Sequence, residues 1–186
     1  MVTIGSLWFS ILLSAVLVFV VSAALHMLLP YHRSDFAKVP AEDDLRRALG
    51  SLSIPPGDYM VPYAGTPEVM RSPEHAARMN EGPVVFMTVF PNGPVAMGVS
   101  LTQWFGYLVV VAVFAAYLAG RTLGSGAEYL SVFRVVGTVA FLGYAVALCQ
   151  NSIWYRRKWS TTLKSMLDGL IYAIVTAGVF ASSWPV

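Results

Sequence analysis

Only two of the ten carboxylates in this 186-residue chain lie outside residues 30–98, and one of them, Asp168, stands in the apolar run MLDGLIYAIV. An ionised carboxylate in an apolar helix is costly to hold without a partner. Lys164 precedes it by four residues, which places both side chains on one helix face. Three further polar residues, His26, Gln150 and Asn151, lie near the ends of two other apolar runs. If those ends meet, His26, Gln150, Asn151, Lys164 and Asp168 form one polar cluster. Such a cluster either fixes helix register by hydrogen bonding or handles a proton or ligand.

Other chemistry finds less footing. His26 and His32 raise a ligand possibility, since a neutral imidazole inside an apolar helix can ligate haem iron or chlorophyll magnesium, but one intramembrane histidine cannot supply both axial ligands of a bis-histidine haem. No carboxylate is spaced around His32 or His75 as in the zinc-binding H-E-x-x-H pattern, so no metal ligands are expected. The single Cys149 excludes an intramolecular disulfide or a CxxC pair. The chain contains no G-x-S-x-G, no phosphate-cradling glycine loop with lysine and no H-x-x-x-x-D pair. A non-catalytic chain is the expectation.

The elements that must position these residues are set by composition. Hydrophobic residues make up 56% and charged residues 12%, about half the charge of an ordinary soluble domain, and the mean hydropathy is +0.64. An integral membrane protein follows. The net charge of +2 is too small and too dispersed to bind nucleic acid. Four runs are long enough to cross the hydrocarbon layer as helices, at residues 4–29, 101–119, 132–153 and 163–182. The first is too long for a signal peptide and has no basic residue before it.

Arg156, Arg157, Lys158 and Lys164 flank the last connection, and Arg33 and Lys38 follow the first span. The positive-inside rule then puts these on the cytoplasmic side, with both termini on the opposite, periplasmic side. All five tryptophans, Trp8, Trp104, Trp154, Trp159 and Trp184, stand near span ends, where indole rings anchor at the headgroup level.

Residues 30–98 read as one cytoplasmic polar insert of about 70 residues, with six basic and eight acidic side chains. That excludes a polybasic lipid-binding segment. PAEDDLRRALGSL and SPEHAARMNEG predict short amphipathic helices, the second capped by Ser72, with Pro73 at its first position and Gly82 beyond its end. SIPPGDYMVPYAGTP is expected to be extended. For PVVFMTVFPNGPVAMGV two conformations remain open: a hairpin around Asn92-Gly93, or an irregular apolar loop against lipid or a partner.

Small residues predict the packing. Gly169, Ala173, Ala177 and Ala181 repeat every four residues in the fourth span, and Gly137, Ala140, Gly143 and Ala147 line the third. Such faces let backbones approach closely in lipid, so these two spans should form a tight antiparallel pair. Asp168 should lie about 7 to 8 Å beyond Leu163, with Ser160 or a following threonine capping the helix. The fold class expected is an all-α membrane protein of four transmembrane helices.

The runs YHRSDF, PPGDYMVPY, GPVVFMTVFPNG, FRVVGTVAF and RRKWSTTLKSMLDGLIYAIVTAG resemble a group of small four-helix bacterial inner-membrane proteins of uncharacterised role, over nearly the whole chain. To a lesser degree the chain is similar to an unassigned accessory subunit of photosynthetic reaction-centre complexes. The resemblance implies a bacterial inner-membrane protein with this four-helix plan, and the function expected of the chain is a non-catalytic accessory or structural subunit of a larger membrane complex, bioenergetic in kind. The resemblance brings no catalytic residues. The partners implied are membrane lipid and other membrane subunits, with no cofactor held within the chain and lipid or neighbouring pigment tails along its outer faces. The alternative is a small transporter or proton-linked membrane enzyme centred on Asp168 and His26.

Overall fold

The computed structural model describes residues 1–186. Helix accounts for 69% of them, and four helical segments are long and apolar enough to cross a membrane. They are Ile4–Leu28, Met97–Thr122, Tyr129–Trp154 and Trp159–Ser182. The chain divides into two compact units, one made of residues 1–36 and 96–186, the other of residues 37–95.

The first unit contains the four long helical segments. A 3-10 turn, Ile4–Leu7, opens into α1 (Trp8–Leu28), and a second 3-10 turn, Pro30–Ser34, follows it. Pro30 takes the first position of that turn, where its missing N–H has no helical partner to lose. The other three segments are α5 (Met97–Thr122), α6 (Tyr129–Tyr144) with its continuation α7 (Cys149–Trp154), and α8 (Trp159–Ser182). Each packs on its neighbour in sequence, and α8 closes the ring against α1.

Two backbone bonds fix the alternating direction. The Val2 N–H donates to the Gly120 carbonyl at 3.1 Å, and the Gly126 N–H to the Pro185 carbonyl at 2.8 Å. The start of α1, the end of α5, the start of α6 and the end of α8 therefore share one end of the bundle. Gly120 is needed there, because a Cβ at this position would lie 2.5 Å from the Val2 carbonyl oxygen.

The α6 to α8 contact is the most extensive in the bundle. Small residues explain it. A Cβ on Gly169 would stand 2.9 Å from the Ala145 Cβ, and one on Gly137 would stand 3.3 Å from the Ala177 Cβ. Ala140, Ala173, Ala177 and Ala181 are buried with them. Two of the expected seam residues sit elsewhere. Gly143 faces Val111 of α5, and Ala147 is exposed in a 3-10 turn, Val146–Leu148, that interrupts the third segment. Ala145 takes the seam place expected of Ala147. The interruption has a visible cause: the Tyr107 hydroxyl of α5 donates to the Gly143 carbonyl at 2.5 Å, diverting an acceptor of the helical ladder.

The second unit corrects the all-α expectation. It contains α2 (Glu42–Leu52), α3 (Pro67–Met70), α4 (Pro73–Glu81) and two antiparallel strands, β1 (Gly57–Val61) and β2 (Val85–Val89). The register runs from Gly57 opposite Val89 to Val61 opposite Val85, and Thr88 donates across it to Asp58 at 2.6 Å. Neither conformation expected for residues 83–98 occurs. The strand ending at Val89 pairs backwards with the proline-flanked segment, and Asn92-Gly93 forms no hairpin. Pro94 lacks the N–H a return strand would need.

The single polar insert over 30–98 is likewise not what folds. Residues 30–36 belong to the helical unit, and the remainder exposes large apolar side chains, among them Val61, Tyr63, Phe90 and Val95. Within it α4 follows its own cap signals, with the Ser72 hydroxyl accepting from the His75 N–H at 3.1 Å and Gly82 at φ 67° beyond its end.

Candidate functional site

At the end of the helical unit where α1 finishes and α8 begins, the 3-10 turn after α1 folds onto α8. It carries Tyr31, His32, Ser34 and, at its cap, Asp35. Asp168 is buried on the facing side of α8. One carboxylate oxygen accepts from the Tyr31 hydroxyl, and the other lies 2.8 Å from His32 Nε2. The opposite ring nitrogen, Nδ1, lies 2.6 Å from Asp35 Oδ2. With both acids ionised their oxygens only accept, and His32 then carries a proton on each nitrogen and bridges the two acids as an imidazolium.

Lys164 completes the set. Its Nζ donates to the Tyr31 carbonyl at 2.6 Å, the Ser34 hydroxyl at 2.7 Å and Asp35 Oδ1 at 3.0 Å. The pair expected on one helix face thus shares no bond of its own. Lys164 and Asp168 instead grip the same turn at two points one helical turn apart.

The charges explain one another. Burial pushes the His32 imidazolium toward neutrality, but its hydrogen bonds to Asp35 and Asp168 outweigh that and hold its pKa above the ordinary value. Burial pushes the Asp35 carboxyl up, and the bonds from His32 and Lys164 overcome it, leaving its pKa below the ordinary value. The Tyr31 hydroxyl is driven upward by burial, then by the Asp168 carboxylate it donates to and the nearby Asp35 charge, and stays protonated.

His26 lies in the last turn of α1, its ring stacked on His32 at 4.6 Å between centroids and 7° between planes. Its Nδ1 is 2.9 Å from the Ser22 carbonyl, which can only accept, so Nδ1 donates and Nε2 remains free. One donor atom from each of His26, His32 and Asp168 lies within 4.8 Å of the others. One turn deeper on the same face of α8, the buried Tyr172 hydroxyl has no hydrogen-bond partner.

Of the five residues expected to cluster, the structure brings together His26, Lys164 and Asp168. Gln150 and Asn151 stand apart on α7, where the Asn151 carbonyl accepts from the Tyr155 and Arg157 amides. Ser152 and Cys149 of α7 reach α8 instead, Ser152 Oγ lying 2.7 Å from the Thr162 hydroxyl and Cys149 Sγ 3.5 Å from Met166 Sδ. Thr162 is therefore a bridge between helices. α8 begins at Trp159 with Lys158 as a cap that makes no side-chain bond, so neither Ser160 nor the threonines after it cap the helix. Asp168 lies nine residues inside, about 13 Å along the axis.

Tyr31, His32 and Asp35 are the members that sequence reasoning missed. The signal present was the spacing in YHRSD, which on a 3-10 turn places His32 and Asp35 on one edge. Among the tryptophans, Trp8, Trp154 and Trp159 are exposed, as headgroup anchors would be. Trp104 instead donates inward to the Ser22 hydroxyl at 3.0 Å, and Trp184 donates to the Gly124 carbonyl at 2.9 Å. No family model matches the chain, and neither a characterised protein nor a solved structure does.

Proposed function

We propose that this chain is a small cation-handling protein of the bacterial inner membrane, in its simplest form a transporter or proton-linked membrane enzyme, working at the Asp168 site. One observation carries the reading. Asp168 is buried in a helix apolar enough to span a membrane, yet it is held by a tyrosine and a protonated histidine that a second carboxylate and a lysine orient in turn. Stability alone does not account for such a set, because replacing a buried ionic network with apolar side chains of like volume is often neutral or stabilising. Ionisable groups at this depth mark ion and proton pathways. The unpartnered Tyr172 hydroxyl extends polar character one turn further in.

The basic residues at this end, Arg33, Arg156, Arg157 and Lys158, support a cytoplasmic placement for the site and periplasmic termini. In vesicles containing the purified chain and an internal pH-sensitive dye, an imposed potential should drive proton flux. Asp168→Asn should slow that flux by about 100-fold, the scale of a lost proton-transfer group. Equal flux through the wild type and the variant contradicts the proposal.

A second reading, an accessory or structural subunit of a larger bioenergetic complex, draws on the other unit. Its two-stranded sheet has a free edge on each strand, and Val61, Tyr63, Val84 and Phe90 are exposed around it. Such a surface suits a protein partner. Purification from native membranes in mild detergent would bring that partner along.

A further inference from the structure

We infer that His26, His32 and Asp168 form a binding site for a first-row divalent transition-metal ion such as zinc. This deepens the function proposed above and rests on it for the working role of the site, since it names the class of cation handled there. Two imidazoles and a carboxylate make a donor set suited to zinc and its neighbours and foreign to the all-oxygen preference of calcium or magnesium.

The arrangement around the donors carries the argument further than their proximity. A metal-bound histidine characteristically donates its other ring N–H to a carbonyl or carboxylate, which fixes its tautomer and aims it. Both histidines have that partner already. His26 Nδ1 donates to the Ser22 carbonyl at 2.9 Å, and His32 Nδ1 to Asp35 Oδ2 at 2.6 Å. Each is thereby left with Nε2 as its ligand atom. Asp168 is oriented the same way, one oxygen taking the Tyr31 hydroxyl and the other facing His32 Nε2. Lys164 is engaged by Asp35, Ser34 and the Tyr31 carbonyl, so its charge is directed to the outer carboxylate.

Tetrahedral zinc with ligands at about 2.0 to 2.2 Å sets donors roughly 3.3 Å apart. His32 Nε2 lies 2.8 Å from Asp168 Oδ2, and one ligand atom from each of the three residues lies within 4.8 Å of the others. The two rings are stacked with planes 7° apart, and a bound ion lies in the plane of each imidazole that ligates it, so binding turns one ring out of the stack. The ion takes the place of the proton on His32 Nε2, which leaves as the metal arrives. Three protein ligands leave a fourth position open, the arrangement of sites that exchange water or cargo rather than lock a fold. His26 is exposed in the last turn of α1, so the donor set is not enclosed within the bundle.

The test is metal binding by the full chain, purified in detergent without a histidine tag, stripped with chelator and dialysed against zinc. One zinc per chain is expected. His26→Asn and Asp168→Asn should each weaken binding at least about tenfold, and Asp35→Asn by about 10- to 100-fold through the freed His32 Nδ1. His75→Asn, in the other unit, should change nothing. Zinc that is not retained, or retained equally by His26→Asn and Asp168→Asn, overturns the inference. Should the variants fail to fold, cobalt on the wild type gives the answer: intense tetrahedral visible bands support the site, and a weak octahedral spectrum overturns it. Zinc bound without any flux removes the proposed transport and keeps the site. Flux without zinc binding does the reverse.

Discussion

At the scale of single residues, His32 is the hinge of the site because both of its nitrogens donate to acids. Its charge makes stability depend on pH in a definite direction. A histidine whose folded pKa is raised contributes stability that is complete below its unfolded value, about 6.5, and is lost as pH rises through the folded value. Asp35, with a lowered pKa, contributes above its unfolded value of about 3.9 and loses that contribution as pH falls through the folded value. The metal-free protein should therefore be most stable between roughly pH 4 and 6.5 and should weaken as pH rises above that window. Thermal unfolding of chelator-treated protein through that window and above it checks this, with His32→Asn as the comparison. The variant should show a flatter alkaline limb, and parallel limbs would remove His32 from the account.

At the scale of elements, the α6 to α8 pair depends on Gly169. Alanine in place of an exposed helical glycine stabilises by about 0.5 to 1 kcal/mol. Here the added methyl would meet the Ala145 Cβ at 2.9 Å and the Tyr144 carbonyl carbon and oxygen at 3.1 Å. Backbone atoms cannot swing aside, so Gly169→Ala should destabilise by about 1 to 3 kcal/mol, measured by unfolding in detergent or bicelles. A stabilised variant would mean that the helices are further apart. The four long apolar helices were legible in the sequence because twenty-odd apolar residues outweigh every local signal. The start of α8 at Trp159 was not, because the interfacial turn before the apolar run is polar and its cap makes no side-chain bond. The pairing of β1 with β2 was hidden for a different reason. The turn signal at Asn92-Gly93 is local, whereas the strand that Val85–Val89 joins lies upstream beyond two short helices.

At the scale of the whole chain, the site joins segments more than 120 residues apart, from 26–35 and 164–168. Half of it was readable. Asp168, Lys164 and His26 announced themselves as polar residues in apolar runs, and counting from the span ends placed them at one level. Their partners in YHRSD looked like the start of a polar loop, and only the 3-10 turn that carries them back against α8 makes them part of the site. Gln150 and Asn151 lie near that level, since Cys149 and Ser152 of the same helix meet Met166 and Thr162 of α8, but it is those two flanking residues that make the contacts.

The site proposed for this protein requires that His32 and Asp168 act as one unit. A double-mutant cycle on unfolding free energy, with His32→Asn, Asp168→Asn and the combined variant, measures that directly. A coupling of about 1 to 3 kcal/mol is predicted, the range for residues sharing one buried network. Additivity within about 0.5 kcal/mol, as for distant sites, would contradict the account.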